Sequence, residues 1–168
     1  IMNPPFTRQE SLEKNQKDAL ETRFSKYDIV DKRIGLHGYF ILLGNEFLKN
    51  NGTMALVLPA TVLRIESFTK LRKFLVENFQ IKYLISSNKS SSFSYGSRFR
   101  EILLVIKKTA PKKSDKTRIG VLNEKPVIGK NVKDIISSLT KKSIKNSKEM
   151  ELIDIDNSVF SQNYQNLF

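Results

Sequence analysis

The sequence predicts an α/β fold. A continuous apolar run at residues 53–58 lies between a glycine and a proline, which is typical of a parallel strand covered on both faces. Apolar residues at helical spacing precede this run at 36–48 and follow it at 68–78. Two more apolar runs, at 80–86 and 102–106, supply further strands. Strands that alternate with amphipathic helices indicate a three-layer arrangement, with helices packed on the sheet.

The composition is that of a globular protein. At 168 residues the chain suits one domain with a real core, or one compact domain plus an appendage. Apolar residues make up 39% and charged residues 27%, which excludes a disordered tail and a membrane protein. The absence of cysteine excludes disulfides and thiolate metal sites and fits a cytoplasmic location. A single histidine leaves no plausible zinc site, so we expect no metal.

The charge balance indicates a polyanionic partner. Lysine and arginine number 29 against 17 acidic residues, for a net charge of +12. A surplus of this size favours contact with a polyanion such as nucleic acid. A merely solvated surface from a lysine-rich proteome is the alternative.

The first six residues, Ile-Met-Asn-Pro-Pro-Phe, are the most informative stretch. Their apolar start is typical of the end of a buried strand, so we expect the sequence to be a fragment of a longer protein. Each proline fixes φ near about −65° and removes a donor, which makes the turn stiff. Asn3 and the Pro4 carbonyl then present two acceptors beside Phe6. That arrangement suits a planar base with an amino group, although an ordinary Asn-Pro-Pro turn is the simpler interpretation.

The helices follow the motif in order. Residues 7–27 have helical spacing among many charges, which predicts an exposed helix without chemistry. The next helix ends at Asn50-Asn51-Gly52, a left-handed stop. His37, near the start of that helix, is expected on the surface and receives no role. Ser67 is a candidate N-cap for the helix at 68–78.

A serine-rich stretch separates two of the strands. Seven of the twelve residues from 86 to 97 are serine, which predicts a solvated, mobile loop. Phe93 within it either folds back onto the edge of the domain or forms one wall of a base-binding slot. We favour the slot, with Tyr95 as the substitute candidate.

Basic residues flank the strand at 102–106. Arg98 and Arg100 precede it, and six cations in twelve residues follow it in a loop around Pro111, which indicates a phosphate-contacting strip or a solubilising loop. The predicted DNA-binding residues are Lys89, Arg98, Arg100, Lys107, Lys108, Lys112 and Lys113.

The order of these motifs resembles the catalytic half of adenine-specific DNA amino-methyltransferases of the restriction-modification type. Asn-Pro-Pro-Phe is followed by Gly-Thr-Met-Ala-Leu-Val-Leu-Pro-Ala-Thr, then by Phe-Ser-Tyr-Gly in the serine-rich loop, then by Phe-Arg-Glu-Ile-Leu-Leu-Val. The resemblance covers about residues 1–108. It is closest to the group in which the S-adenosylmethionine half precedes the motif and a target-recognition domain follows.

The resemblance implies a partial Rossmann-like methyltransferase sheet whose last strand, at 102–106, is antiparallel. It implies catalytic roles for Asn3, Pro4, Pro5 and Phe6, and stacking of a flipped adenine between Phe6 and Phe93. It divides the chain into the C-terminal half of a catalytic domain at 1–108 and a basic extension at 109–168 that leads towards an absent recognition domain. A half sheet exposes an edge, so we expect a homo-oligomer.

S-adenosylmethionine is the implied methyl donor, but its pocket is largely missing. The glycines, at 35, 38, 44, 52, 96, 120 and 129, form no G-x-G turn. We therefore expect the isolated chain to be inactive without the cofactor-binding half. The alternatives are a non-catalytic DNA-binding fragment or subunit of a restriction-modification complex, and a methyltransferase acting on protein glutamine or on RNA.

Overall fold

The fold is a five-stranded mixed sheet with helices on both faces. A computed structural model describes residues 1–7, 9–29, 34–88, 93–94 and 100–157. The strands are β1 (Thr53–Pro59), β2 (Gln80–Ser87), β3 (Glu101–Lys107), β4 (Lys116–Leu122) and β5 (Met150–Asp156). The helices are α1 (Lys14–Phe24), α2 (Gly35–Phe47), α3 (Thr69–Asn78) and α4 (Val132–Thr140).

The strand order is β1-β3-β2-β4-β5, so β3 is inserted between two strands that precede it in the chain. It runs antiparallel to both, which confirms the antiparallel strand expected at 102–106. β4 is parallel to β2, and β5 is antiparallel to β4. The prediction of a parallel strand at 53–58 is confirmed in part. β1 has a parallel neighbour at Met2, which is bridged to Leu56, and is antiparallel to β3 on its other side.

Side chains alternate between two cores on the two faces of the sheet. On β3, Ile102 and Leu104 pack into the larger cluster, whereas Leu103 between them packs against the smaller one. Successive side chains of a strand point to opposite faces, so the two clusters lie on opposite sides. The larger includes residues of α2 and α3, and the smaller includes Ile135 of α4. The α/β three-layer sheet predicted from the sequence is therefore confirmed.

α2 packs closely against β1 and against Met2, the residue that precedes the motif. A Cβ added at Gly44 would lie 2.5 Å from Met54 Sδ and 2.7 Å from Met2 Cε, so glycine lets the helix approach both methionines. The left-handed stop predicted at Asn50-Asn51-Gly52 does not cap this helix, because α2 ends at Phe47 with Leu48 in an extended conformation. The left-handed residue, Asn51 with a φ of 62°, lies in the turn between α2 and β1. The predicted cap on the next helix is wrong. Ser67 is buried in a short 3₁₀ turn, and Phe68 takes the N-cap position without a side-chain hydrogen bond.

Residues beyond 108 extend the same sheet. Arg118 of β4 makes two hydrogen bonds to the carboxylate of Asp154 on β5, at 2.7 and 2.9 Å. Its Nη1 also donates to the carbonyl of Leu139, in the last turn of α4, and to the carbonyl of Lys141, just beyond the helix. The hydrogen bond from Arg118 holds the pKa of Asp154 below its usual value. Arg118, part of the basic run around Pro111 in the sequence, thus ties α4 to β4 and β5.

Among the residues that the structure describes, no helix has the length and apolar character needed to cross a bilayer. The outer edge of β1 is covered in part by the bridge to Met2, and association through that edge stays a prediction.

Candidate active site

The motif lies at the carboxyl end of β1. Met2 N–H donates to the Ala55 carbonyl at 2.9 Å, and Val57 N–H donates to the Met2 carbonyl at 3.0 Å. These parallel contacts carry the following residues past the end of the strand. Ligands of open α/β sheets bind at the carboxyl ends of strands, so the sheet presents the motif where a binding site is expected.

Asn3 and Pro4 differ in exposure. The Asn3 side chain is exposed, whereas Pro4 is buried and anchors the turn. Asn3 Nδ2 donates to Ser94 Oγ at 3.2 Å, which turns the amide oxygen away from that hydroxyl. Within the described part of the chain, no backbone N–H donates to the Pro4 carbonyl. The turn therefore offers two acceptors, and Pro5 is exposed beside them.

Phe6 packs on His37. The two rings are 6.2 Å apart between centroids and nearly perpendicular, and His37 in turn lies 5.3 Å from Phe68. The expectation that His37 lies on the surface is wrong, because the residue is only 7% exposed. Neither ring nitrogen has a hydrogen-bond partner among the described residues. Burial lowers the pKa of His37 from 6.5 to about 4, so the imidazole is neutral at pH 7.

Phe93 is half-buried, and its ring packs against the smaller apolar cluster. No ring contact in the described ranges joins it to Phe6. Its backbone nevertheless reaches the motif, because the next residue, Ser94, accepts the hydrogen bond from Asn3. Glu101 holds this segment: its Oε2 accepts from Phe93 N–H at 2.7 Å and from Ser94 N–H at 2.8 Å. Tyr95 lies outside the described residues.

The loop after β1 forms the neighbouring wall. Ala60 N–H donates to the Arg100 carbonyl at 2.7 Å, which joins the end of β1 to the start of β3. The buried Arg72 of α3 donates to the carbonyls of Val62 and Ile65, both at 2.8 Å. A charged donor on a buried loop fixes its course more firmly than neutral contacts do. The loop from Ala60 to Ile65 is thus held at the carboxyl end of β1, where the motif lies.

The predicted DNA-binding residues separate into two places. Arg100 is exposed at the carboxyl end of β1, near the motif. Lys107 pairs with Thr53 at the start of β1, so it and the following Lys112 and Lys113 lie at the other end of the sheet. Six strand residues at about 3.3 Å each put about 20 Å between the two places.

Lys108 has a structural contact at that distant end. Its Nζ donates to the carbonyls of Asn45 and Leu48 at 2.6 and 2.9 Å, where it caps the end of α2. Lys112 and Lys113 are exposed. Lys89 and Arg98 fall outside the described residues.

The connection after β1 is not a glycine-rich turn of the kind that binds a nucleotide-type cofactor. The connection from β1 to α3 contains no glycine, and its backbone is held by the short contacts given above, so no glycine-rich turn approaches a ligand there. Nor do three or more His, Cys, Asp or Glu side chains within the described ranges group to hold a metal ion.

The comparisons with known proteins identify the family. The sequence model of the Eco57I restriction-modification methylase family matches residues 1–93, which is more than half of the chain. The chain belongs to the Eco57I restriction-modification methylase family. The match contains the motif, α1 to α3, β1 and β2, and it ends at Phe93.

Two curated relatives agree with the family assignment. The type II methyltransferase M.BstVI of Geobacillus stearothermophilus is 27% identical over 154 residues, 90% of this chain and 26% of its own length. The type II restriction enzyme and methyltransferase RM.Eco57I of Escherichia coli is 27% identical over 107 residues, 64% of this chain and 11% of its own. The chain thus spans about a quarter or less of these relatives.

A solved structure shares the fold. The methyltransferase subunit of a type I restriction-modification system from Streptococcus thermophilus superimposes with a TM-score of 0.70 at 22% identity. The superposition covers 99% of this chain and 36% of that subunit. The five-stranded sheet of this chain, including β4 and β5, therefore shares the fold of that subunit.

Sequence reasoning missed Glu101, Ser94 and His37 as parts of this site. Glu101 carried a signal, since it is an acidic residue directly before a buried apolar strand and directly after the serine-rich loop. An acid in that place needs a partner when it is buried, and nearby loop N–H groups supply one. Nothing local distinguished Ser94 from the other six serines or His37 from a surface residue.

Proposed function

We propose that this chain is the base-binding half of an S-adenosylmethionine-dependent, adenine-specific DNA methyltransferase. The supporting observation is the Asn3–Pro4 turn at the carboxyl end of β1, beside Phe6, in a member of a restriction-modification methylase family. Residues 1–108 are the C-terminal half of the catalytic domain in this proposal. Residues 109–168 are a basic extension towards a recognition domain, and the cofactor-binding half lies in the longer enzyme.

The turn lowers the barrier by accepting hydrogen bonds from the adenine amino group. The lone pair of that nitrogen is delocalised into the ring, which makes it a poor nucleophile. Asn3 Oδ1 and the Pro4 carbonyl accept hydrogen bonds from its two N–H groups and draw the nitrogen towards tetrahedral geometry, which localises the lone pair. Once the methyl group has been transferred, the nitrogen releases one of these protons to solvent. Neither acceptor ionises, so the site acts by positioning and preorganised electrostatics without a titrating base. The neutral His37, whose ring nitrogens have no hydrogen-bond partner among the described residues, agrees with this, because it does not reach the motif amide as a base.

Stacking offsets the cost of removing the adenine from the duplex. Extrusion of a base costs a few kcal/mol, and each aromatic contact contributes about 1–3 kcal/mol. Phe6, held on His37, forms one wall in this proposal. Phe93 forms the other by leaving the apolar cluster against which its ring now packs.

DNA contacts fall into two groups in this proposal. Arg100, with Lys89 and Arg98, contacts phosphates around the extruded base. Lys107, Lys112 and Lys113 contact the duplex about 20 Å away, at the other end of the sheet. The Lys108 amine contributes chiefly through the helix end that it caps.

S-adenosylmethionine supplies the methyl group when it is bound, and the residues that hold it belong to another part of the enzyme. Isothermal titration of S-adenosylmethionine into this chain alone is therefore expected to give weak binding or none. The missing pocket, rather than misfolding, is the reason, and circular dichroism of the same sample checks the fold. Micromolar affinity would contradict the assignment of the pocket to another segment.

The test of the function compares methyl acceptors. The intact methyltransferase is incubated with labelled S-adenosylmethionine and, in parallel, with duplex DNA, RNA and a glutamine-containing protein. We expect label in DNA, and N6-methyladenine as the only modified nucleoside after digestion. Label in protein glutamine or in RNA would replace the proposal with one of those rivals. DNA binding without transfer to any acceptor would favour a non-catalytic subunit.

A further inference from the structure

We propose that Glu101 is a positioning residue that orients the Asn3 amide through the backbone of Phe93 and Ser94. This inference rests on the proposed function, since the Asn3 amide matters as the acceptor of a hydrogen bond from the adenine amino group. In this proposal the Glu101 side chain does not itself contact the adenine.

The Glu101 carboxylate is a fixed anchor. It is the first residue of β3 and is 1% exposed. The strand around it is held on the β1 side by the pairing of Glu101 with Pro59 and by the hydrogen bond from Ala60 to Arg100. Its Oε2 accepts from two consecutive N–H groups, at 2.7 and 2.8 Å. Hydrogen bonds to an ionised acceptor are about twice as strong as neutral ones, so this segment is clamped.

The clamp reaches Asn3 across 91 residues of sequence. Ser94, whose N–H is held by Glu101, accepts the hydrogen bond from Asn3 Nδ2 at 3.2 Å. An amide group has an acceptor on one side and two donors on the other. A half-turn of the Asn3 amide would present N–H groups to the adenine amino group, where an acceptor is needed. In the observed orientation Nδ2 donates to the Ser94 hydroxyl, so Oδ1 lies on the other side of the amide as the proposed reaction requires, and Glu101 keeps the Ser94 backbone in place.

The second oxygen of Glu101 argues against a purely stabilising role. Glu101 Oε1 is buried and has no hydrogen-bond partner among the described residues. A buried, half-satisfied carboxylate is costly, and an apolar side chain of similar volume is often as stable or more so. The acid is better explained by what Oε2 holds than by a gain in stability.

Amide hydrogen exchange, followed by NMR on this chain, tests the clamp without reference to activity. We expect the Phe93 and Ser94 amides to be protected, and to exchange at least about tenfold faster in Glu101→Ala. Glu101→Gln, whose amide oxygen is a neutral acceptor of similar shape, should be intermediate. Glu151→Ala, on an exposed position of β5, is the control and should change neither amide. Equal rates in the wild type, Glu101→Gln and Glu101→Ala would overturn the clamp.

Kinetics of the intact methyltransferase test the consequence. Ser94→Ala should keep both amides protected but lower kcat about three- to tenfold, with KM for DNA little changed. Glu101→Ala should lower kcat at least as much, with partial recovery in Glu101→Gln. Unchanged kcat in Ser94→Ala and Glu101→Gln would overturn the positioning role. Absence of base methylation by the wild-type enzyme would refute the proposed function and the positioning role with it, while the exchange data would still decide the clamp.

Discussion

Asn3→Ala is expected to lower DNA methylation by about a hundredfold to a thousandfold while leaving DNA affinity nearly unchanged. The substitution removes a preorganised acceptor that acts on the reacting nitrogen, and removal of one such group commonly costs two to three decades. The Asn3 side chain is exposed, and among the described residues it makes a hydrogen bond to Ser94, so the fold does not depend on it. Phosphate contacts dominate DNA affinity, and Asn3 supplies none of the charge.

Single-turnover methylation and DNA binding at a stated salt concentration provide the measurement, both with the intact enzyme. Asn50→Ala is the matched control, because Asn50 is an exposed asparagine at the opposite end of the sheet. It should leave both quantities as in the wild type. If Asn3→Ala retained activity within about tenfold of the wild type, the turn would not be the acceptor and the non-catalytic interpretation would gain support.

The elements of the fold were predictable because local patterns determine them. The run at 53–58, the stripe at 36–48 and the strand at 102–106 all appear in the structure within one or two residues of their predicted bounds. The stiffness of the motif also followed from its prolines alone. These features depend on near neighbours in the sequence, which periodicity and turn chemistry describe well.

The assembly of the site was less predictable because it depends on sequence-distant contacts. Insertion of β3 between β1 and β2 sends its carboxyl end, and Lys107 with it, away from the motif. The positions of the cations along the sequence do not indicate at which end of the sheet each one lies. The Asn3–Ser94 contact likewise joins residues 91 positions apart. Only the sheet order brings the serine-rich loop to the turn.

His37 was misjudged because its environment is made by three separate segments. The rings of Phe6 and Phe68, which are both distant from His37 in the sequence, contact the imidazole. Gly35 lies close to it as well, since a Cβ at Gly35 would be 2.9 Å from His37 Cε1. The glycine and the two aromatic rings leave a narrow slot for the imidazole. Because the slot supplies no hydrogen-bond partner among the described residues, protonation is costly there.

Lowering the pH from 7 to 4 is therefore expected to destabilise this chain by about 3 kcal/mol through His37 alone. The pKa of His37 is about 4 in the folded protein, against 6.5 as its ordinary value. Between these values the unfolded chain binds a proton that the folded chain does not, so the free energy of unfolding falls as pH falls. Above pH 6.5 both states are neutral, and below pH 4 both are protonated, so the loss is confined to that window.

Urea denaturation of the chain between pH 7 and 4, compared with His37→Phe, measures this contribution. His37 is the sole histidine in the sequence, so the difference between the two proteins isolates one titration. Phenylalanine keeps an aromatic ring against Phe6 and Phe68 but has no proton to bind. We expect the variant to lose about 3 kcal/mol less stability than the wild type across the window. Parallel curves for the two proteins would mean that the imidazole is hydrated or partnered in solution, and that the support beneath Phe6 is looser than the structure shows.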